Sequence, residues 1–272
     1  MKKSFMLFVL SFTVLFVKAQ TGILLVHYGT QNDKSRQTTI EVIDSIVRVK
    51  FPHCIVEEAY AAPSVIRSLE KRGVYKMTVM EAMARLQRKG CKKVVVQSTM
   101  LLDGTVTSWI TNDVNIYRGY FDHIEIAKPL LYSVDDCRDF IRLIAENVKA
   151  DKDEQVVLVG HGTVDAANAM YSQIDYMAQN EGFTHYHVGT IEGYPSLDHV
   201  MKRLSVLRTK SVVLVPLLFI AGNHQVQDID GEWKEKLQQA GYKVNVEHRG
   251  LGEYKAVQEK IIKNIIDLIA KD

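Results

Sequence analysis

From residue 20 onward the chain alternates short apolar runs with longer stretches whose apolar residues recur every three or four positions. The runs fall at Gly22 to Val26, Ile55 to Tyr60, Val94 to Gln97 and Ile124 to Ala127, and again at Val156 to Val159, Tyr186 to Gly189, Val212 to Val215 and Val244 to Val246. Each is short enough for a strand, and each is rich in β-branched residues. The stretches between them include Ser35 to Val49, Thr78 to Lys89, Val134 to Val148 and Lys255 to Ala270, all with helical periodicity. In the last, Val257, Ile261, Ile265, Leu268 and Ile269 fall on one stripe, the pattern of a helix covering a sheet. Such alternation predicts βαβ units and largely parallel sheets flanked by helices.

The pattern repeats. LLVHYGT (24–30) aligns with VLVGHGT (157–163), AAPS (61–64) with GYPS (193–196), and VVVQSTMLLDG (94–104) with VVLVPLLFIAG (212–222). Two similar α/β lobes facing each other across a cleft, 20–132 and 133–272, are the architecture this implies. In that alignment Tyr28 stands opposite His161, Tyr60 opposite Glu192, and Thr105 near the place of Asn223.

The first nineteen residues follow a different rule. Met1, Lys2 and Lys3 form a positive start, Ser4 to Val17 is almost wholly apolar, and Val17 and Ala19 are small residues at the two positions a signal peptidase inspects. We expect residues 1–19 to be a signal peptide cleaved before Gln20, and the mature chain to be exported, to the periplasm. The apolar run is shorter than the roughly 20 residues of a transmembrane helix, so an integral membrane protein is not expected.

Composition narrows the choice of partner. With 272 residues, 47% of them hydrophobic, the chain can bury a substantial core. Its 34 basic and 32 acidic residues nearly balance, without the basic and aromatic stripe of a nucleic-acid binder. Cys54, Cys91 and Cys137 are an odd set without CxxC spacing and read as small buried apolar residues rather than disulfides or metal ligands. No GxGxxG, GxxxxGK[ST] or GxSxG motif is present, so neither a nucleotide cofactor nor a serine-hydrolase elbow is expected.

Three polar residues of the second lobe carry the chemistry. His161, Glu192 and His224 each follow an apolar strand and lie next to glycine or, for His224, two positions from it, in the settings VVLVGHGT, HVGTIEGYP and VVLVPLLFIAGNH. In parallel α/β sheets the carboxyl ends of neighbouring strands converge on one crevice, where residues distant in sequence can share a ligand. Two imidazoles and a carboxylate suit divalent Co, Ni, Fe or Zn better than Ca or Mg, and three ligands leave coordination positions open. Gly160, Gly162, Gly193 and Gly222 would let a flat ligand approach the backbone, since no Cβ intervenes. His27 ends the first strand, where contact with a ligand and a plain turn role are both open. His185 and His187 flank Tyr186 along one strand and are not a chelating pair by default. His53, His123, His199 and His248 read as surface or strand-flank residues.

At His27-Tyr28-Gly29-Thr30, Gly160-His161-Gly162-Thr163, Glu192-Gly193-Tyr194-Pro195 and the block from Pro216 to His224, the chain resembles the class II tetrapyrrole chelatases, most closely the anaerobic sirohydrochlorin cobaltochelatases of the CbiK type. The resemblance spans essentially the whole chain after residue 19. It implies a chelatase-like fold and insertion of a divalent metal, cobalt first with Fe2+ or Ni2+ as alternatives, into a tetrapyrrole such as sirohydrochlorin without ATP. It places the metal on His161, Glu192 and His224, with His27, Gly162, Gly193 and Gly222 near the macrocycle. One departure is Asn223, where the family pattern has an aspartate; Asp228 is the nearest substitute.

Chelation suits these side chains. The protein must strip water from the ion and accept two pyrrole N–H protons, and neutral imidazole can either bind metal or carry a proton. A negative Glu192 favours both the dication and a nearby imidazolium. A carrier that binds metal, haem or a metallotetrapyrrole without turnover is the alternative, and export favours it; removal of metal from a tetrapyrrole is a third reading. Lys34, Arg36 and Arg118 are the expected contacts for substrate carboxylates, by loop position alone, and a homo-oligomer is compatible with the sequence.

Overall fold

The computed structural model describes residues 20–151 and 153–271. The signal peptide expected over residues 1–19 lies outside them. Two four-stranded sheets follow one another along the chain, and every strand pairing is parallel. The first contains β1 (Gln20–His27), β2 (Ile55–Tyr60), β3 (Cys91–Ser98) and β4 (His123–Ile126) in the order β2-β1-β3-β4. The second contains β5 (Gln155–Gly160), β6 (Tyr186–Thr190), β7 (Ser211–Leu217) and β8 (Lys243–Val246) in the matching order β6-β5-β7-β8. The sequence repeat is therefore a repeat of topology. In each sheet the chain leaves the first strand to one side and returns on the other, which opens a crevice at the carboxyl ends.

Helices cover both faces. A helical run over 33–50 includes α1 (Asp33–Ser35) and α2 (Glu41–Lys50), and α3 (Pro63–Glu70), α4 (Val79–Arg88) and α5 (Thr105–Asn115) complete the first half. The second half has α6 (Val134–Asn147), α7 (Ala169–Asn180), α8 (Leu197–Ser205), α9 (Lys234–Gln239), preceded by a helical segment at Gln225–Trp233, and α10 (Lys255–Ile269). Local sequence starts two of these cleanly: Thr78 with Glu81 and Ser133 with Asp136 form reciprocal capping boxes at α4 and α6.

The main core lies between the sheets. Ile23, Leu25 and Val95 from one sheet and Val156, Leu158 and Val213 from the other belong to a single apolar cluster with α2, α6, α7 and α10. Smaller clusters fill the outer faces: α4 and α5 over Leu24, Val26, Val94 and Val96, and Trp233 with α8 and α9 over Val157, Val159 and Leu214. Strands buried on both faces account for the nearly unbroken apolar runs.

The stripe of α10 is buried at Val257, Ile261, Ile265 and Leu268, but the sheet it covers is the first. It packs on β3 and α2, and Lys93 Nζ donates to Ile269 O at 2.8 Å. A boundary at 132/133 thus divides the strands by lobe while the last helix crosses back. Cys91 and Cys137 are buried, Cys54 is half-buried, and all three are free thiols. No described helix is long and apolar enough to cross a membrane.

Candidate metal and macrocycle site

A cleft of about 570 Å³ opens between the carboxyl ends of the two sheets, within the range of small-molecule sites. Its apolar lining includes Val65, Leu101, Leu102 and Val106 from the first lobe and Val164, Leu218, Phe219 and Ile220 from the second. His161, Glu192 and His224 all line it, together with Gly162, Gly222 and Asn223. The structure therefore gathers the three candidate ligands, which are separated by 31 and 32 positions in sequence, into one cavity.

His161 follows β5 directly. His224 is carried out from the end of β7 by residues 218–223 and opens the helical segment at Gln225, so it is a helix-start rather than a strand-end residue. Their rings meet edge to face, with centroids 4.6 Å apart. Each Nδ1 faces an acceptor: His161 Nδ1 lies 3.0 Å from Gly162 O, and His224 Nδ1 lies 2.8 Å from Asp228 Oδ2. Both oxygens accept, so in the neutral imidazole each Nδ1 carries the proton and each Nε2 the lone pair. Asp228 thus supplies the carboxylate that Asn223 lacks.

Glu192 is exposed and is placed by backbone. Its N–H donates to His161 O at 2.7 Å, and Ile191 N–H donates to Gly160 O at 2.9 Å. Gly162 makes this approach possible: its φ is +87°, and a Cβ there would lie 2.7 Å from Gly193 N. Gly193 is not on the cleft wall, contrary to the sequence expectation. A Cβ at Gly193 would meet Asn168 Oδ1 at 2.3 Å, and Asn168 bridges Thr163 N and Tyr194 O. The glycine there packs loop on loop.

Other expectations are corrected. His27 does not face the cleft; it is fully buried, with Nδ1 3.2 Å from Thr99 Oγ1 and Nε2 3.1 Å from Asp44 Oδ1, because its strand position points toward α2. Tyr60 is buried as well, whereas Tyr28 and Thr105 do line the cleft. No lysine or arginine is among the lining residues. Arg36 is buried in ion pairs with Asp33 and Glu41, and Arg118 precedes β4, at the opposite end of the sheet from the cleft. His187 is buried and bonded to Gln155, and burial holds its pKa down at about 4.

The sequence did not reveal the contacts that join the lobes across the cleft. Thr105 donates from both N and Oγ1 to Asp165 Oδ2, at 2.9 and 2.8 Å, and these bonds hold the Asp165 carboxyl below the usual carboxylate range. On the side of His224, Ser35 Oγ donates to Ala221 O. Asp165 caps a short turn, accepting from Ala167 N, and its partner 60 residues away leaves no local signal in the sequence.

Comparison with known proteins agrees with this architecture. The chain is 27% identical over 250 residues to the sirohydrochlorin cobaltochelatase of Salmonella typhimurium, covering 90% of this chain and 94% of that protein. It is 29% identical over 241 residues to the sirohydrochlorin cobaltochelatase CbiKC of Nitratidesulfovibrio vulgaris, covering 86% and 85%. The fold is similar to that of SirB from Bacillus subtilis, solved with Fe3+, at a TM-score of 0.69 and 16% identity over 92% of this chain and 96% of that one. It is also similar to CbiX, the terminal enzyme of sirohaem biosynthesis in denitrifying bacteria, at 0.56 and 16% over 91% and 99%. A family model described as cobalt chelatase (CbiK) matches residues 21–270, and the chain belongs to that family.

Proposed function

We propose that this chain inserts cobalt into sirohydrochlorin in the inter-lobe cleft, with no nucleotide, and that His161, Glu192 and His224 present the ion. The observation that carries this is the matched pair of imidazoles. Both have Nδ1 committed to an acceptor, and they stand edge to face in the cavity that Glu192 also lines. A borderline N/O set with open positions takes Co2+ and would also accept Fe2+ or Ni2+. Metal and macrocycle are both substrates. Each insertion releases two pyrrole protons, and the imidazoles and Glu192 are the groups placed to take them as the metal leaves. The apolar walls receive the ring faces, and the acidic substituents point to the open rim.

We further propose that the protein works outside the cytoplasm; the support is the sequence of residues 1–19 and nothing in the fold. Metal-free sirohydrochlorin and Co2+ mixed with substoichiometric protein tests the activity. An absorbance change that continues past one equivalent of protein is expected. A change that stops at one equivalent would make the chain a carrier.

A further inference from the structure

At the carboxyl ends of β1 and β2, on the face turned toward α2, four polar side chains meet inside the first lobe. Register puts three of them there: Leu25 pairs with Glu58 and His27 with Tyr60, so residues 25, 27, 58 and 60 project from the same face. Asp44 reaches them from α2, whose Ile43 and Val47 pack in the cluster that contains Leu25. Among the described residues, His27, Asp44 and Glu58 are the group whose metal-binding atoms all lie within 4.8 Å of one another; His161, Glu192 and His224 are more open.

Two further observations point to a ligand. The Tyr60 hydroxyl is buried without a hydrogen-bond partner, in a side chain only 1% exposed. Its ring stands edge-on to His27, and its ionisation is suppressed by burial and then by the neighbouring Glu58 carboxylate. The charges are also unequal. Lys76 Nζ lies 3.0 and 2.9 Å from the two Glu58 oxygens and Arg36 is taken up by Asp33 and Glu41, which leaves Lys76 as the lysine or arginine facing the pair of carboxylates, with the His27 imidazole as the partner of Asp44. Uncompensated charge in a mostly buried site is costly. A divalent ion would balance both carboxylates if Lys76 turned outward.

We propose that His27, Asp44 and Glu58 form a second divalent-metal site, inside the first lobe and independent of the cleft, for which Lys76 is the competing cation. One imidazole and two carboxylates again favour first-row transition ions. An ion there ties β1, β2 and α2 together, so its effect is on the stability of the first lobe.

Co2+ titration of the full chain by calorimetry, near neutral pH and with thermal melts alongside, tests this. Wild type should bind two equivalents, the His161→Ala/His224→Ala double variant one, and that variant with Glu58→Gln added none. In the double variant Co2+ should still raise Tm. Lys76→Met should tighten the remaining site about tenfold by removing the competing charge, a gain that a purely structural ion-pair network would not give. No binding by the double variant, or residual binding unchanged by Glu58→Gln, overturns the second site. One equivalent in wild type that survives loss of both cleft histidines instead overturns the cleft as the metal site.

Discussion

His224 and Asp228 lie one helical turn apart and are joined by a 2.8 Å bond from the imidazole Nδ1–H to the carboxylate. The carboxylate fixes the tautomer and orientation of the neutral ring, with Nε2 as the nitrogen left to a metal, as outer partners of metal-binding histidines do. Asp228→Ala should therefore weaken Co2+ binding in the cleft by about 10- to 100-fold. A metal titration in the Glu58→Gln background, which isolates the cleft, reads this directly.

His161→Ala and His224→Ala should each abolish metal insertion while leaving the melting temperature close to that of wild type. Both rings sit on a cavity wall rather than in a core, so little apolar burial is lost. Insertion at near wild-type rate by either variant would remove the site.

Gly162→Ala tests the loop contact that brings Glu192 to His161. The positive φ and the backbone of Glu192 and Gly193 within 3 Å of the new methyl both oppose the substitution. A loss of about 1–3 kcal/mol in stability is expected, measured by denaturant unfolding, together with a larger fall in insertion rate than stability alone explains.

Because no lysine or arginine among the described residues lines the cleft, and Glu192 and Asp165 do, macrocycle binding should not depend on pairing with permanent cations. Fluorescence quenching of metal-free sirohydrochlorin should give a Kd that does not rise between low salt and several hundred millimolar salt. A steep weakening with salt would show that basic residues outside the cavity hold the carboxylates.

Acid should destabilise the second lobe through His187. Burial first, and Arg203 second, hold its pKa at about 4 in the fold against about 6.5 in an unfolded chain. Between these values the unfolded state binds more protons, so the contribution is fully present above pH 6.5 and is lost as pH falls to about 4. The size is on the order of 3 kcal/mol. Denaturant unfolding at pH 7 and at pH 4.5 should show the loss, and His187→Gln should reduce the difference.

The sequence by itself determined the parallel α/β class, the internal repeat and the three residues at the cleft. Each rests on information that is local or repeated: two-face burial makes strands such as Val156 to Val159 continuously apolar, and the GHGT, EGYP and AGNH segments come at or within a few residues of the ends of such strands. Tertiary structure decided where side chains point and what meets across the lobes. His27 looked like a cleft residue because it ends a strand two positions before a glycine, yet the pleat turns it inward to Asp44. Arg36 and Arg118 looked available because loop position carries no record of ion pairing or of which end of the sheet a loop serves. The helix from Lys255 to Ile269 announced a buried stripe but not its sheet, since amphipathic periodicity gives a face and not a partner. Asp165 with Thr105, and Asp228 standing in for an aspartate at 223, depend on distances that arise only once the two sheets face each other and the helix after β7 has formed.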